Sequence, residues 1–117
     1  MVETKIARRS IYSEEFKERW FKMSFAEQMG NIGSEVGRAT KWQNKDEKSF
    51  WGAVGRAMEL FDLTQMDKRW KGRRLEIDRA REVFADAVLG GREYKSSLVD
   101  IERYFMQFAL LAQRRFI

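Results

Sequence analysis

The chain of 117 residues contains no cysteine, no histidine and no proline. Without cysteine there are no disulfides, no thiolate nucleophile and no thiolate metal site. Without histidine the commonest general base and the commonest transition-metal ligand are also missing. The absence of proline fits long uninterrupted helices. No run approaches the roughly 18 consecutive apolar residues that a membrane span requires. The opening "MVETKIARRS" lacks the apolar centre of a signal peptide. The expectation is therefore a cytoplasmic protein with no membrane partner and no cofactor.

What is present is a globular balance, 44% hydrophobic and 35% charged residues, with a net charge of +5. Residues 68–81, "KRWKGRRLEIDRAR", hold seven of the 23 basic residues and two of the 18 acidic ones. The whole charge excess falls in that segment. A clustered excess of this kind attracts nucleic acid or another polyanion; the same segment also suits the solvated face of a helix.

Hydrophobic spacing predicts an all-α fold. A helix over about 24–43 opens at Ser24 with Glu27 three residues on, the capping-box pattern. Its apolar positions Phe25, Met29, Ile32, Val36, Ala39 and Trp42 recur at helical steps. A second helix covers about 46–66 with Phe50, Val54, Ala57, Leu60 and Phe61 inward. The third, about 73–89, buries Ile77, Ala80, Phe84, Ala87 and Val88 and stops at Gly90-Gly91. The fourth runs from Ser96 or Ser97 to the end through Leu98, Ile101, Phe105, Phe108, Ala109, Leu111 and Ala112. Short links give a single-domain, up-down-up-down four-helix bundle over 24–117. Residues 1–23 form an N-terminal segment in which "SEEFKERWFKM" supplies a short leading helix.

Three glycines, Gly30, Gly33 and Gly37, interrupt the first long helix at about 1 kcal/mol each against alanine. No apolar strand precedes them and no Gly-Lys-Ser/Thr follows, which argues against a phosphate loop. A stripe of small residues instead predicts close helix packing. Gly52, Ala53, Gly55 and Ala57 on the second helix offer a matching surface, and a second subunit is the alternative partner.

Asn31, Glu35 and Arg38 lie along one helical face; Arg56, Glu59 and Asp62 step by three on the next helix, and Arg79 and Glu82 on the third. They are candidates for an interhelical polar network. Carboxylates also raise a magnesium-dependent hydrolase through Glu35, Glu59, Asp62 and Glu82. Helical pyrophosphatases of the MazG type pair Glu-x-x-Glu with Glu-x-x-Asp on successive helices. Glu59 and Asp62 fit the second half, but Arg38 stands where the first half needs a carboxylate. Serines have no histidine to activate them, and no catalytic set emerges.

In "KRWKGRR", Trp70 is flanked by Lys68, Arg69, Lys71, Arg73 and Arg74. Single-stranded nucleic acid is commonly held by cations on phosphates and an aromatic ring under a base. The other reading tucks Trp70 into the end of the fold while its charged neighbours reach water. Trp20, Phe21, Trp42, Phe50, Trp51, Trp70, Tyr94, Tyr104, Phe105 and Phe108 exceed one narrow stripe. An exposed aromatic surface, and with it a homo-oligomer or an unidentified protein partner, is therefore expected.

Residues 31–60 resemble a family of four-helix-bundle proteins encoded in intervening sequences of bacterial 23S ribosomal RNA genes. These carry Asn-Ile-x-Glu-x-x-Gly-Arg, followed about twenty residues on by an arginine-containing helix ending in Glu-Leu. Asn31, Ile32, Gly37 and Arg38 keep that spacing, and "GRAMEL" supplies Arg56, Glu59 and Leu60. Glu35 stands one residue later than the signature has it. The resemblance implies a small, basic, non-enzymatic bundle that self-associates, akin to a nucleic-acid-binding accessory of a reverse transcriptase. The first expectation is thus an RNA- or polyanion-binding accessory module, and the second a scaffold that binds only protein.

Overall fold

A computed structural model describes residues 11–114. The first ten positions, with the expectation drawn from them, and the last three lie outside the described residues. Among those described there are five α-helices and no strand: α1 Glu14–Trp20, α2 Phe25–Trp42, α3 Glu47–Met66, α4 Arg74–Val88 and α5 Leu98–Arg114. A 3₁₀ segment, Lys68–Arg73, joins α3 to α4. No described helix is long and apolar enough to cross a membrane.

Local signals set the helix ends. The Ser24 hydroxyl accepts from the Glu27 N–H at 3.1 Å while the Glu27 carboxylate accepts from the Ser24 N–H at 2.8 Å, closing the capping box that opens α2. Ser97 and Asp100 exchange the same pair of bonds at the start of α5, at 3.0 and 3.2 Å. At the end of α4 the chain reverses through Gly90 and Gly91 with φ of 113° and 72°. A side chain at Gly91 would also place its Cβ 2.6 Å from the Ser96 carbonyl oxygen, so glycine is required there on both counts.

The core is the set that helical spacing picks out: Met29, Ile32, Val36, Phe61, Ile77 and Phe84 are fully buried, with Trp20 closing one end. Phe61 is the hub, with its ring centroid 6.0 Å from Phe84 and 5.8 Å from Phe105. Helix α2 packs against α5 on one side and α3 on the other, while α4 touches α3 and α5. Burying a phenylalanine or leucine side chain in such a core contributes about 1.5–3 kcal/mol.

The glycines serve close packing, but their neighbour is α5 rather than the small residues of α3. A Cβ built at Gly30 would meet the Ala109 Cα at 3.4 Å, one at Gly33 the Phe105 Cβ at 2.6 Å, and one at Gly37 the Glu102 Oε2 at 3.1 Å. Gly52 instead faces its own helix, 3.3 Å from Arg56 Nη1.

The aromatic surface expected from composition does not form. Of the ten aromatics singled out, only Trp51 and Tyr94 are exposed. Edge-on packing lets several rings share one core, as in the Tyr104, Phe105 and Phe108 cluster. The exposed apolar surface is mainly aliphatic and concentrates on α5, at Val99, Met106, Leu110 and Leu111. Leu111, expected inward, is exposed, and Ala109 stays largely exposed at the edge of the contact with Gly30, because the inward arc of α5 is filled by Leu98, Ile101, Phe105 and Phe108.

Candidate functional site

The basic segment is built onto the open end of α2. Gln28 is completely buried on that helix, and its side chain joins three pieces of chain. Its Nε2 donates to the Trp20 carbonyl at 2.8 Å and to Asp67 Oδ2 at 3.0 Å, and its Oε1 accepts from the Trp70 indole N–H at 2.8 Å. Trp20 in turn donates its indole N–H to the Thr64 hydroxyl at 3.2 Å. A polar group with no access to water needs such partners, and all of Gln28's hydrogen-bonding atoms have them.

Trp70 is half-buried, edge-on to Phe25 with centroids 5.3 Å apart. Arg69 stacks on the Trp70 ring at 4.4 Å and Arg73 on the Phe25 ring at 3.9 Å. Arg69 also donates to both Asp67 oxygens, at 3.0 and 2.7 Å, and to the Met23 carbonyl at 2.7 Å. Burial works against the Asp67 charge, but hydrogen bonds from Arg69 and Gln28 outweigh it and hold the carboxyl below its ordinary pKa. The Arg69 guanidinium is pushed up by the same hydrogen bond. Arg73 pairs with Glu76 at 3.1 Å.

The six candidate residues therefore divide. Trp70, Arg69 and Arg73 tie the 3₁₀ segment to the core. Lys68, Lys71 and Arg74 are exposed, and within the described residues no ion pair engages them. They fall at every third position of a stretch that kinks at Trp70 and ends on the first residue of α4.

The second polar cluster lies between α2 and α3. Glu35 is only 7% exposed, yet it is charged and paired twice. Its Oε1 accepts from Arg38 Nη1 at 3.0 Å and its Oε2 from Arg56 Nε at 2.8 Å. The Glu35 hydrogen bond pushes the Arg56 pKa further up. Glu59 accepts from the backbone N–H groups of Ile11 and Tyr12, at 2.7 and 3.4 Å, so it fastens the leading segment. Burial and the nearby Glu35 charge raise the Tyr12 pKa.

The expected network thus forms only in part. Asn31 is exposed and donates to the Glu27 carbonyl of its own helix at 2.8 Å. Asp62 pairs with Arg81 at 3.1 Å, Glu82 accepts from the Tyr94 hydroxyl at 2.9 Å, and the Arg79 guanidinium lies 5.8 Å from the Tyr94 ring. Glu35, Glu59, Asp62 and Glu82 each have a different partner. Among the described residues no three acidic side chains gather in a way that could hold a metal ion.

No protein-family model, curated protein or solved structure matches this chain. The site must be read from its own chemistry. Gln28, Thr64 and Asp67 did not stand out in the sequence, although Gln28 shares the apolar arc of Phe25, Met29 and Ile32, an odd place for an amide. Lys48 and Ser49, beside the Arg38–Arg56 cluster, are the other residues that the sequence gives no reason to select.

Proposed function

We propose that the chain is a polyanion-binding accessory module that acts by binding rather than by catalysis, with RNA as the partner. The observation that carries this is the division of the basic segment: Arg69, Trp70 and Arg73 are engaged with neighbouring groups of the fold, while Lys68, Lys71 and Arg74 are exposed and make no ion pair among the described residues. With its indole N–H on Gln28 and its ring against Phe25, Trp70 is an anchor instead of a stacking platform. The recognition is then electrostatic and weakly selective for sequence, since phosphates carry no base information.

In this reading the helices form an up-down-up-down four-helix bundle with α1 as a leading helix. The resemblance of residues 31–60 to the intervening-sequence bundles supports the same small, basic architecture. The exposed Val99, Met106, Leu110 and Leu111 of α5 favour self-association.

The test is binding of a labelled single-stranded RNA at several salt concentrations, beside a Lys68→Gln/Lys71→Gln/Arg74→Gln variant. Each phosphate neutralised contributes about 0.7 to the slope of log affinity against log salt, so the variant should lose about 2 from that slope. A wild-type protein that ignores RNA at low salt overturns the proposal, and an unchanged slope in the variant moves the site elsewhere.

A further inference from the structure

A groove of about 440 Å³ runs along the α2–α3 face, lined by Arg38, Trp42, Lys48, Ser49, Gly52 and Arg56. Every charged residue in that lining is a cation. Glu35 is the carboxylate that organises them, and it lies beneath, buried, with both oxygens already bound to the two arginines. One negative charge therefore holds two guanidinium groups in place, and Lys48 adds a third positive charge with no ion pair among the described residues.

The geometry of those bonds leaves the useful donors unspent. Arg56 binds Glu35 through Nε, so the four N–H groups on its two terminal nitrogens stay available. Arg38 binds through Nη1, which leaves Nε and Nη2. Gly52 gives the Arg56 guanidinium room to lie across α3, since a Cβ there would sit 3.3 Å from Nη1. Trp42, half-buried beside them, supplies an apolar wall. Fixed arginine forks, a lysine and an aromatic wall in a cleft of small-ligand size are the elements of an oxyanion-recognition site.

We infer that this groove binds the phosphate of a small phosphate ester, with Arg38, Arg56 and Lys48 on the phosphate oxygens and Trp42 against the organic body. The site is separate from the basic turn: Gln28, which holds the turn, and Arg38 are ten residues apart on α2, about 15 Å along the helix. Like charges gathered around one carboxylate repel each other, and a dianionic phosphate relieves that repulsion.

Amide and indole NMR shifts of the full chain, titrated with AMP, inorganic pyrophosphate and adenosine, test the inference. AMP and pyrophosphate should give saturable shifts at the Trp42 indole and the Ser49 and Gly52 amides, and adenosine should give none. Lys48→Gln, which leaves the Glu35 pairs intact, should weaken AMP binding about tenfold, as expected for one charge-assisted contact. Arg56→Lys keeps the charge but loses the fork and should weaken it as well. The Lys68→Gln/Lys71→Gln/Arg74→Gln variant should bind AMP as the wild type does. No saturable shift up to about 10 mM overturns the inference, that limit corresponding to less than about 3 kcal/mol of binding. So does equal binding of adenosine, or a loss of AMP binding confined to the basic-turn variant.

Discussion

Replacing Gly33 by alanine sets two opposed effects against each other. Alanine in a helix interior is favoured over glycine by about 1 kcal/mol. Against that, the new Cβ would sit 2.6 Å from the Phe105 Cβ, whereas carbon atoms are most stable about 3.5–4.0 Å apart. The helices must part locally by roughly 1 Å, a gap that forfeits a quarter to a half of the dispersion at each contact it opens. Phe105 cannot turn aside, because the clash involves its Cβ and its ring is packed on Phe61 and Tyr104. Overpacking of this kind costs about 1–3 kcal/mol, so after the helical gain Gly33→Ala should be destabilising by up to about 2 kcal/mol net. At Gly30 the new Cβ meets Ala109 Cα at 3.4 Å, an ordinary contact. There the helical preference decides, and Gly30→Ala should stabilise by up to about 1 kcal/mol. Urea unfolding followed by circular dichroism reads both: with a slope of about 1–3 kcal/mol per molar, the midpoints should move in opposite directions, each by on the order of a few tenths of a molar. Trimming Phe105 to leucine keeps its Cβ and should not rescue Gly33→Ala. Shifts of the same sign at both positions would refute the account of the α2–α5 contact.

Gln28→Leu should cost about 1–3 kcal/mol, because it leaves the Trp70 indole N–H without its partner and takes one hydrogen bond from the buried Asp67 carboxylate, while the Trp20 carbonyl keeps the Met23 N–H; a urea midpoint close to wild type would contradict this. Asp67, with its lowered folded pKa, adds stability that is complete above its unfolded value of about 3.9 and is lost as pH falls through the folded one. The stability gap between wild type and Asp67→Asn, read from urea midpoints, should therefore be widest at neutral pH and narrow below about pH 4. Tyr104, pushed up to about 12 by burial and by the charge and hydrogen bond of Glu76, should ionise last of the three tyrosines in an absorbance titration. Its contribution to stability is complete below the unfolded value of about 10 and is lost as pH rises from there through the folded value. Tyr104→Phe should remove the last titration step, and a single common step for all three residues would contradict the burial of Tyr104 beside Glu76.

The helices were legible because their causes are local: apolar residues at helical steps, Ser24 with Glu27, and two glycines after Val88. So was the Glu35–Arg38 pair, three residues apart on one helix. What could not be read was the choice among neighbours. A stripe of small residues says that something comes close, but not whether α3 or α5 does. In the same way Asp62 and Glu82 carry no mark in the sequence that assigns them to Arg81 and Tyr94. The basic turn shows the limit most directly. Six residues of one short stretch divide into anchors and exposed cations because of Gln28 and Phe25, some forty positions upstream.

The glycines of α2 have one more consequence. Gly30, Gly33 and Gly37 are spaced by about one helical turn, so they form a rack of equivalent notches, and Phe105 occupies the middle one. The notches on either side hold different parts of α5, the Ala109 backbone at Gly30 and the Glu102 carboxylate at Gly37. The three glycines do not by themselves mark which notch takes the phenylalanine. Contacts outside the notches hold the setting: Tyr104 reaches Glu76 on α4, and Phe108 meets Phe25 at the start of α2 edge-on at 5.8 Å. In this molecule the backbone notch permits the contact, while residues off the notch decide where along the rack it is made.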